Sequence, residues 1–252
     1  MNGGNMKELT TEQIQENWNR LIQIIKDTFE EESERRENLL GMYQYFEDRM
    51  CMAPASGKEH FHNAHAGGYV EHILHIVKFS KQIADLWEQN GATINFTDEE
   101  LIFAALHHDL GKVGDLAEDY YVPQDNDWWI KNRGEYYKHN GKLHYMTVTD
   151  RAVFLLQHFG IKMSEQEYLG LRLTDGMYED ANKNYYVSYQ PERQLKTNIA
   201  YVLHQADLMS SVIEYDMWKR GDYDVKVEPV KQKEKSEKSK RSHELFKELF
   251  DE

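Results

Sequence analysis

Apolar residues recur at helical spacing along almost the whole chain. Ile14, Trp18, Leu21, Ile25 and Phe29 step by four, three, four and four, which traces one face of a helix, and Thr10 with Gln13 reads as its capping box. Leu39, Tyr43, Phe46 and Met50 repeat the pattern and predict a second helix. Pro54 to Gly57 break the periodicity, and a His-rich loop follows as far as Gly67 and Gly68. Ile73, Ile76, Val77, Ser80, Ile83, Ala84 and Trp87 then mark an amphipathic helix over about 69–89. Thr97 with Glu100 caps the segment LIFAALHHDLGK, whose helix is expected to end between Asp109 and Gly111, because glycine commonly follows a helix C-terminus.

Residues 112–145 lose this period and read as a long irregular insert rich in Tyr, Trp and charge, the kind of loop that serves as a lid or binding segment. Thr149 then caps a helix running to Phe159 and stopped by Gly160, and Ser164 with Glu167 opens a short helix to about Leu173. Residues 174–190 read as turn and loop with a short hairpin over 184–189, and the last long helix is expected over 197–219. From Lys226 the composition shifts. Residues 231–242, KQKEKSEKSKRS, hold nothing that could form a core and are expected to be disordered. They lead to HELFKELFDE, where Leu245, Phe246, Leu249 and Phe250 line one side of a short helix, a candidate docking peptide for a protein partner. The expected fold is all-α: N-terminal helices over 1–57 packed on a single helical bundle over 58–225, then a charged linker and a short amphipathic helix over 226–252.

Composition narrows the function. With 252 residues, 40% of them apolar, the chain can bury one core. A formal net charge of −14 speaks against general binding to long nucleic acid, which needs Lys and Arg to neutralise phosphates. Cys51 is the only cysteine, so no intramolecular disulfide can form. No signal-peptide pattern and no run of about 18 apolar residues is evident, and a cytoplasmic, non-membrane protein is expected. No GxxxxGK[ST] phosphate loop occurs, which argues against an ATP-driven motor.

The candidate chemistry lies in the twelve histidines and their neighbouring acids. His108 and Asp109 are adjacent near the C-terminus of an apolar helix. Neighbours on a regular helix point about 100° apart, but at a fraying end both can turn to one ion. Imidazole with carboxylate suits Mn, Fe, Co, Ni or Zn better than Ca. Lys112, just beyond, places a cation where a phosphate could sit. His72 falls on the Ile76 and Phe79 side of its helix, and Asp207 sits between Leu203, Ala206 and Ser210, where a lone buried carboxylate would be costly and a metal ion resolves the cost. His204 shares a face with Asp207. Structural readings stand beside these: a helix C-cap pair for His108 and Asp109, a satisfied buried pair for His72 and Asp207, a solvated Lys112, a plain loop His144, and local packing for the aromatic insert.

The elements GGYVEH (67–72), HHDLGK (107–112) and HQADLMSS (204–211) resemble the HD-domain phosphohydrolase superfamily. The stretch FHNAHAGGYVEH is particularly similar to the HD domain of bacterial 3′–5′ exoribonucleases. The resemblance covers roughly residues 58–215. It implies a divalent metal (Mn, Fe, Co, Ni, Mg or Zn) held by His72, His108, Asp109 and Asp207. It places His62 and His65 beside the site, with His62, His65, Lys112 and His204 as substrate contacts and Asp109, Lys112 and His144 as catalytic residues. It also implies a second metal near His144; where that family pattern has a further His this chain reads Thr174, for which Asp175 or His158 is a substitute, although His158 sits on the apolar face of its helix and reads as core. The expected activity is hydrolysis of a nucleotide phosphoester. A 3′–5′ exonuclease acting on RNA or DNA ends, a non-catalytic nucleotide-binding module and a di-iron oxygenase are the alternatives.

Overall fold

Helix α1, Thr11–Thr28, begins where Thr10 accepts the Gln13 amide and the Gln13 side chain accepts the Thr10 N–H, so two donors orphaned at the helix start are satisfied together. The structure is a computed structural model and describes residues 8–221, which belong to one unit by their contacts. α1 buries Trp18, Leu21 and Ile25 against α2, Glu34–Met52, which contributes Leu39, Tyr43, Phe46 and Met50. Both helices also lie on α3, Gly68–Gln89. α4, Asp98–His107, starts at the Thr97–Glu100 capping box and is buried at every position from Leu101 to His107. It is the innermost helix, and its lack of a polar face explains why the sequence shows a run of apolar residues there rather than a periodic stripe.

The chain leaves α4 through a 3-10 turn, Leu110–Val113, and enters the insert. The insert is ordered rather than irregular. Strand β1, Tyr121–Pro123, pairs antiparallel with β2, Tyr137–His139, around the short helix α5, Asp127–Arg133. Tyr120, Tyr121 and Val122 favour extended backbone, and the rings of Tyr120 and Tyr121 pack on His139 at 4.9 and 5.3 Å. The ribbon is fastened to the loop before α3, where the amides of Tyr136 and Tyr137 both donate to the Gly57 carbonyl. A Cβ at Gly57 would come within 2.6 Å of the Tyr137 oxygen, so the approach requires glycine.

α6, Val148–His158, starts at Thr147, two residues earlier than expected; Thr149 is buried in its first turn instead. α7, Glu165–Arg172, opens with the Ser164–Glu167 capping box. No hairpin forms over 184–189. One turn of helix, α8, Lys183–Tyr186, is held there by tertiary contacts: the Tyr186 hydroxyl donates to the Leu173 carbonyl, and its ring meets Tyr201. α9, Ile199–Arg220, lies along α3 and also meets α4 and α7. His158 is not core. It is exposed beside Phe154 and Phe159, because α6 buries Ala152, Leu155 and Leu156 and residue 158 shares the outer face with 154.

The described residues are thus all-α apart from one two-stranded ribbon, and none of their helices is long and apolar enough to cross a membrane. The expected linker and amphipathic segment over 226–252 lie outside the described residues.

His107 gives the fold a pH dependence. Its ring is fully buried against Phe103 and Tyr43, with Nδ1 bonded to the Phe103 carbonyl, and burial pushes its pKa down from 6.5 to about 3. The unfolded chain gains a proton there below about pH 6.5 while the folded chain does not until about pH 3, so stability is lost as pH falls through that window. Between pH 7 and 5 the loss from this group is about 2 kcal/mol. Denaturant unfolding of the His107→Leu variant is expected to show a correspondingly shallower acid loss; an unchanged slope would remove His107 from the account.

Candidate metal centre

Three separate elements bring four side chains to one point. α3 supplies His72 from its first turns, α9 supplies Asp207 from its middle, and the end of α4 supplies His108 and Asp109. His108 still has helical dihedrals (φ −55°, ψ −37°), but Asp109 does not (φ −104°, ψ 11°). This change lets two consecutive side chains point the same way. The 3-10 turn after it passes directly beneath the start of α6. A Cβ on Gly111 would lie 2.0 Å from the Val148 carbonyl oxygen, so glycine is required for the turn to fit.

His72 Nε2 lies 3.4 Å from Asp207 Oδ1 and 3.8 Å from Asp109 Oδ2, while His108 Nε2 lies 3.6 Å from Asp109 Oδ2 and 4.0 Å from Asp207 Oδ1. Neither Nε2 is aligned for a hydrogen bond, and both are buried. The opposite nitrogens are committed: His108 Nδ1 to the Ala105 carbonyl at 2.9 Å, and His72 Nδ1 to the Glu214 carboxylate at 3.1 Å. A ring whose Nδ1–H is held by a carbonyl or carboxylate presents its Nε2 lone pair outward, which is how metal-binding histidines are usually oriented. Two orphaned buried imidazole nitrogens with two carboxylates therefore fit a divalent transition ion.

The charges around these side chains favour a cation. Burial opposes ionisation of Asp207, yet its contact with His72 and the charges of His108 and Lys112 hold its carboxyl well below the usual range. Burial likewise pulls the His72 imidazole down, but Glu214 and Asp207 outweigh it and raise its pKa to about 10. A proton on His72 thus neutralises part of the carboxylate charge that a cation would neutralise. Lys112 Nζ donates to Asp109 Oδ2 at 2.6 Å, and although the side chain is partly buried, Asp109 keeps the ammonium charged. Asp175 is raised, first by desolvation and then by the charges of Asp109 and Asp207.

A cavity of about 430 Å³ opens over the centre, walled by His62, His108, Asp109, Lys112, Asp175 and Asp207. His62, expected as a substrate contact, also lies among the groups that could bind a metal: its ring lies 4.6 Å from that of His72, and His62, His72 and Asp109 could share an ion, as could His72, His108 and Asp207. Burial first, then the charges of His72 and Lys112, push its pKa down to about 3. The remaining expected residues are placed differently. His65 is buried, with Nδ1 at the Ala66 carbonyl and Nε2 3.4 Å from Glu71. His204 is pinned by the Thr174 carbonyl at 2.7 Å. His144 is exposed and belongs to no ligand group among the described residues, although its carbonyl accepts from Arg151. Thr174 turns its hydroxyl to the Gly170 carbonyl, so it does not stand in for a histidine.

Sequence reasoning missed Glu214. It follows Asp207 by seven residues, two helical turns, and that spacing on an otherwise apolar stripe was the available signal.

Comparison of the chain with models of known protein families, with curated proteins and with solved structures finds no match.

Because Glu214 orients His72, Glu214→Gln is expected to weaken Mn or Zn binding about 10- to 100-fold while the circular dichroism spectrum stays helical. Wild-type metal affinity in that variant, measured by titration against a chelator, would show that His72 needs no such partner.

Proposed function

We propose that the chain is a metal-dependent phosphohydrolase that cleaves a phosphoester of a nucleotide. The observation that carries this reading is the meeting of two unbonded imidazole nitrogens and two carboxylates beside a cavity whose wall holds a partly buried, charged lysine. The resemblance of the three motifs to the HD-domain superfamily supports the same ligand set, His72, His108, Asp109 and Asp207. A divalent ion held there supplies Lewis acidity, polarising a phosphoryl oxygen and lowering the pKa of a coordinated water.

The chain's own residues do the rest. Lys112, held by Asp109, offsets negative charge that grows on the phosphoryl oxygens as the ester bond breaks. His62 faces the cavity as a neutral imidazole, able to accept or donate one hydrogen bond but not to serve as a fixed positive charge. Asp175, exposed on the cavity wall, is placed to give the leaving oxygen the proton it must acquire. The oxygenase alternative needs a second complete iron site. It is not favoured, because the Thr174 hydroxyl is spent on backbone and His144 is exposed.

The test is release of phosphate or nucleoside from (d)NMPs, (d)NTPs, cyclic nucleotides and short RNA and DNA with Mn, Co, Ni, Mg or Zn. Asp109→Ala is expected to lose both metal and turnover, whereas Lys112→Ala keeps the metal and loses about 100-fold or more in kcat. Metal binding without turnover above Asp109→Ala on every substrate would overturn the hydrolase reading in favour of a binding module.

A further inference from the structure

A second cavity, of about 590 Å³, adjoins the metal centre: Lys112 and Tyr120 line both. Its walls are of another character. Met52 and Pro54, at and just after the end of α2, face Tyr121 and Tyr137 from the two strands of the ribbon. On the α2 side it meets the exposed carboxylate of Asp48 and one cation, Arg49, which is already paired. Arg49 is bonded to Asp119 at 2.6 Å and to the carbonyl of Asp115, and its guanidinium lies over Phe46. This cavity therefore offers aromatic and apolar faces with a polar rim, and no free cation for a second phosphate among the residues just named.

A molecule reaching from one cavity to the other would need an anionic end at Lys112 and a flat, apolar-faced, polar-edged body beyond it. A sugar phosphate would leave the second cavity empty, and an acyl chain would gain nothing from stacking. We propose that the second cavity is the base subsite for a single nucleotide, with Tyr121 and Tyr137 supplying its stacking faces and Lys112 marking where phosphate ends and nucleoside begins. This rests on the phosphoester reading of the metal centre, which it extends by naming the leaving group as a nucleoside and giving the ribbon its role. Stacking on tyrosine accepts any base, so the subsite recognises a nucleotide without selecting strongly among bases.

The test is equilibrium binding of the four ribonucleoside monophosphates, ribose 5-phosphate, adenosine and inorganic phosphate to the full chain, read by titration calorimetry without regard to turnover. Each monophosphate is expected to bind about 10-fold or more tightly than ribose 5-phosphate, the scale expected for one stacked base, and adenosine alone is expected to bind. Met52 is 58% exposed, so Met52→Trp should fold and fill the cavity from its edge. It is expected to abolish the advantage of the monophosphates while leaving ribose 5-phosphate affinity and metal content unchanged. Tyr121→Ala is expected to act in the same direction.

Equal binding of AMP and ribose 5-phosphate would overturn the subsite, as would an advantage that survives Met52→Trp. Base-dependent binding lost in Met52→Trp, with no hydrolysis of any ester, would keep the subsite and remove the hydrolase reading. Equal hydrolysis of ribose 5-phosphate and AMP, with equal affinities, would do the reverse.

Discussion

A carboxylate sealed from water must be paired, and the pairing of Glu214 sets the geometry on which the centre depends. Its oxygens take Nδ1 of His72, Nδ1 of His75 at 2.7 Å and the Ser210 hydroxyl at 2.9 Å. His72 and His75 are three apart on α3, and Ser210 and Glu214 four apart on α9, so each pair shares a helix face. The same bonds that keep the charge from being stranded, a penalty of several kcal/mol, also fix how the two longest described helices are rotated against each other. Given that rotation, Asp207, two turns before Glu214, faces the other side of the His72 ring. One imidazole thus has a carboxylate at each nitrogen, bonded at Nδ1 and 3.4 Å away without a hydrogen bond at Nε2. Three acids, Asp109, Asp207 and Glu214, crowd around one lysine and the imidazoles, an excess of negative charge that favours a cation.

The second constraint is the break after α4. A helix continued through residue 109 would send Asp109 about 100° away from His108. The break is imposed from outside: the 3-10 turn passes so close to the start of α6 that residue 111 can carry no side chain, and α6 is itself positioned by the burial of Ala152, Leu155 and Leu156. The metal centre therefore depends on packing of residues far from it in sequence, and so does Lys112, which the same turn directs back to Asp109.

These two constraints explain what was legible in the sequence. Helix starts were, because capping boxes at Thr10, Thr97 and Ser164 are local hydrogen-bond patterns written within four residues. The buried faces of α1 and α2 were, because their period is regular. His72, His108, Asp109 and Asp207 were, because each is a polar residue set among apolar ones, and the structure does gather them. Glu214 was not, since its imidazole partners come from α3, some 140 residues earlier, and its spacing from Asp207 was the one local sign. The ribbon was not, because its strands are three residues each and are fixed by Gly57, about 80 residues before the second strand. His158 reads as core because Phe154, one turn before it, is apolar, yet that face of α6 is exposed and the buried one is Ala152, Leu155 and Leu156.

The net charge of −14 then bears on what such a site could take. An acidic surface repels polyanions over a Debye length of about 8 Å at physiological ionic strength, and repulsion grows with the number of phosphates presented. Inside the cavity the balance would reverse over a few ångströms, with Lys112 charged and a cation at the side chains that could hold one. A ligand with one phosphate can cross that boundary at small cost, whereas a strand would hold its remaining phosphates against the acidic exterior. The field of the chain and its two adjoining cavities therefore bear on the proposed substrate in the same direction, toward a ligand whose single charged end is neutralised where it is buried.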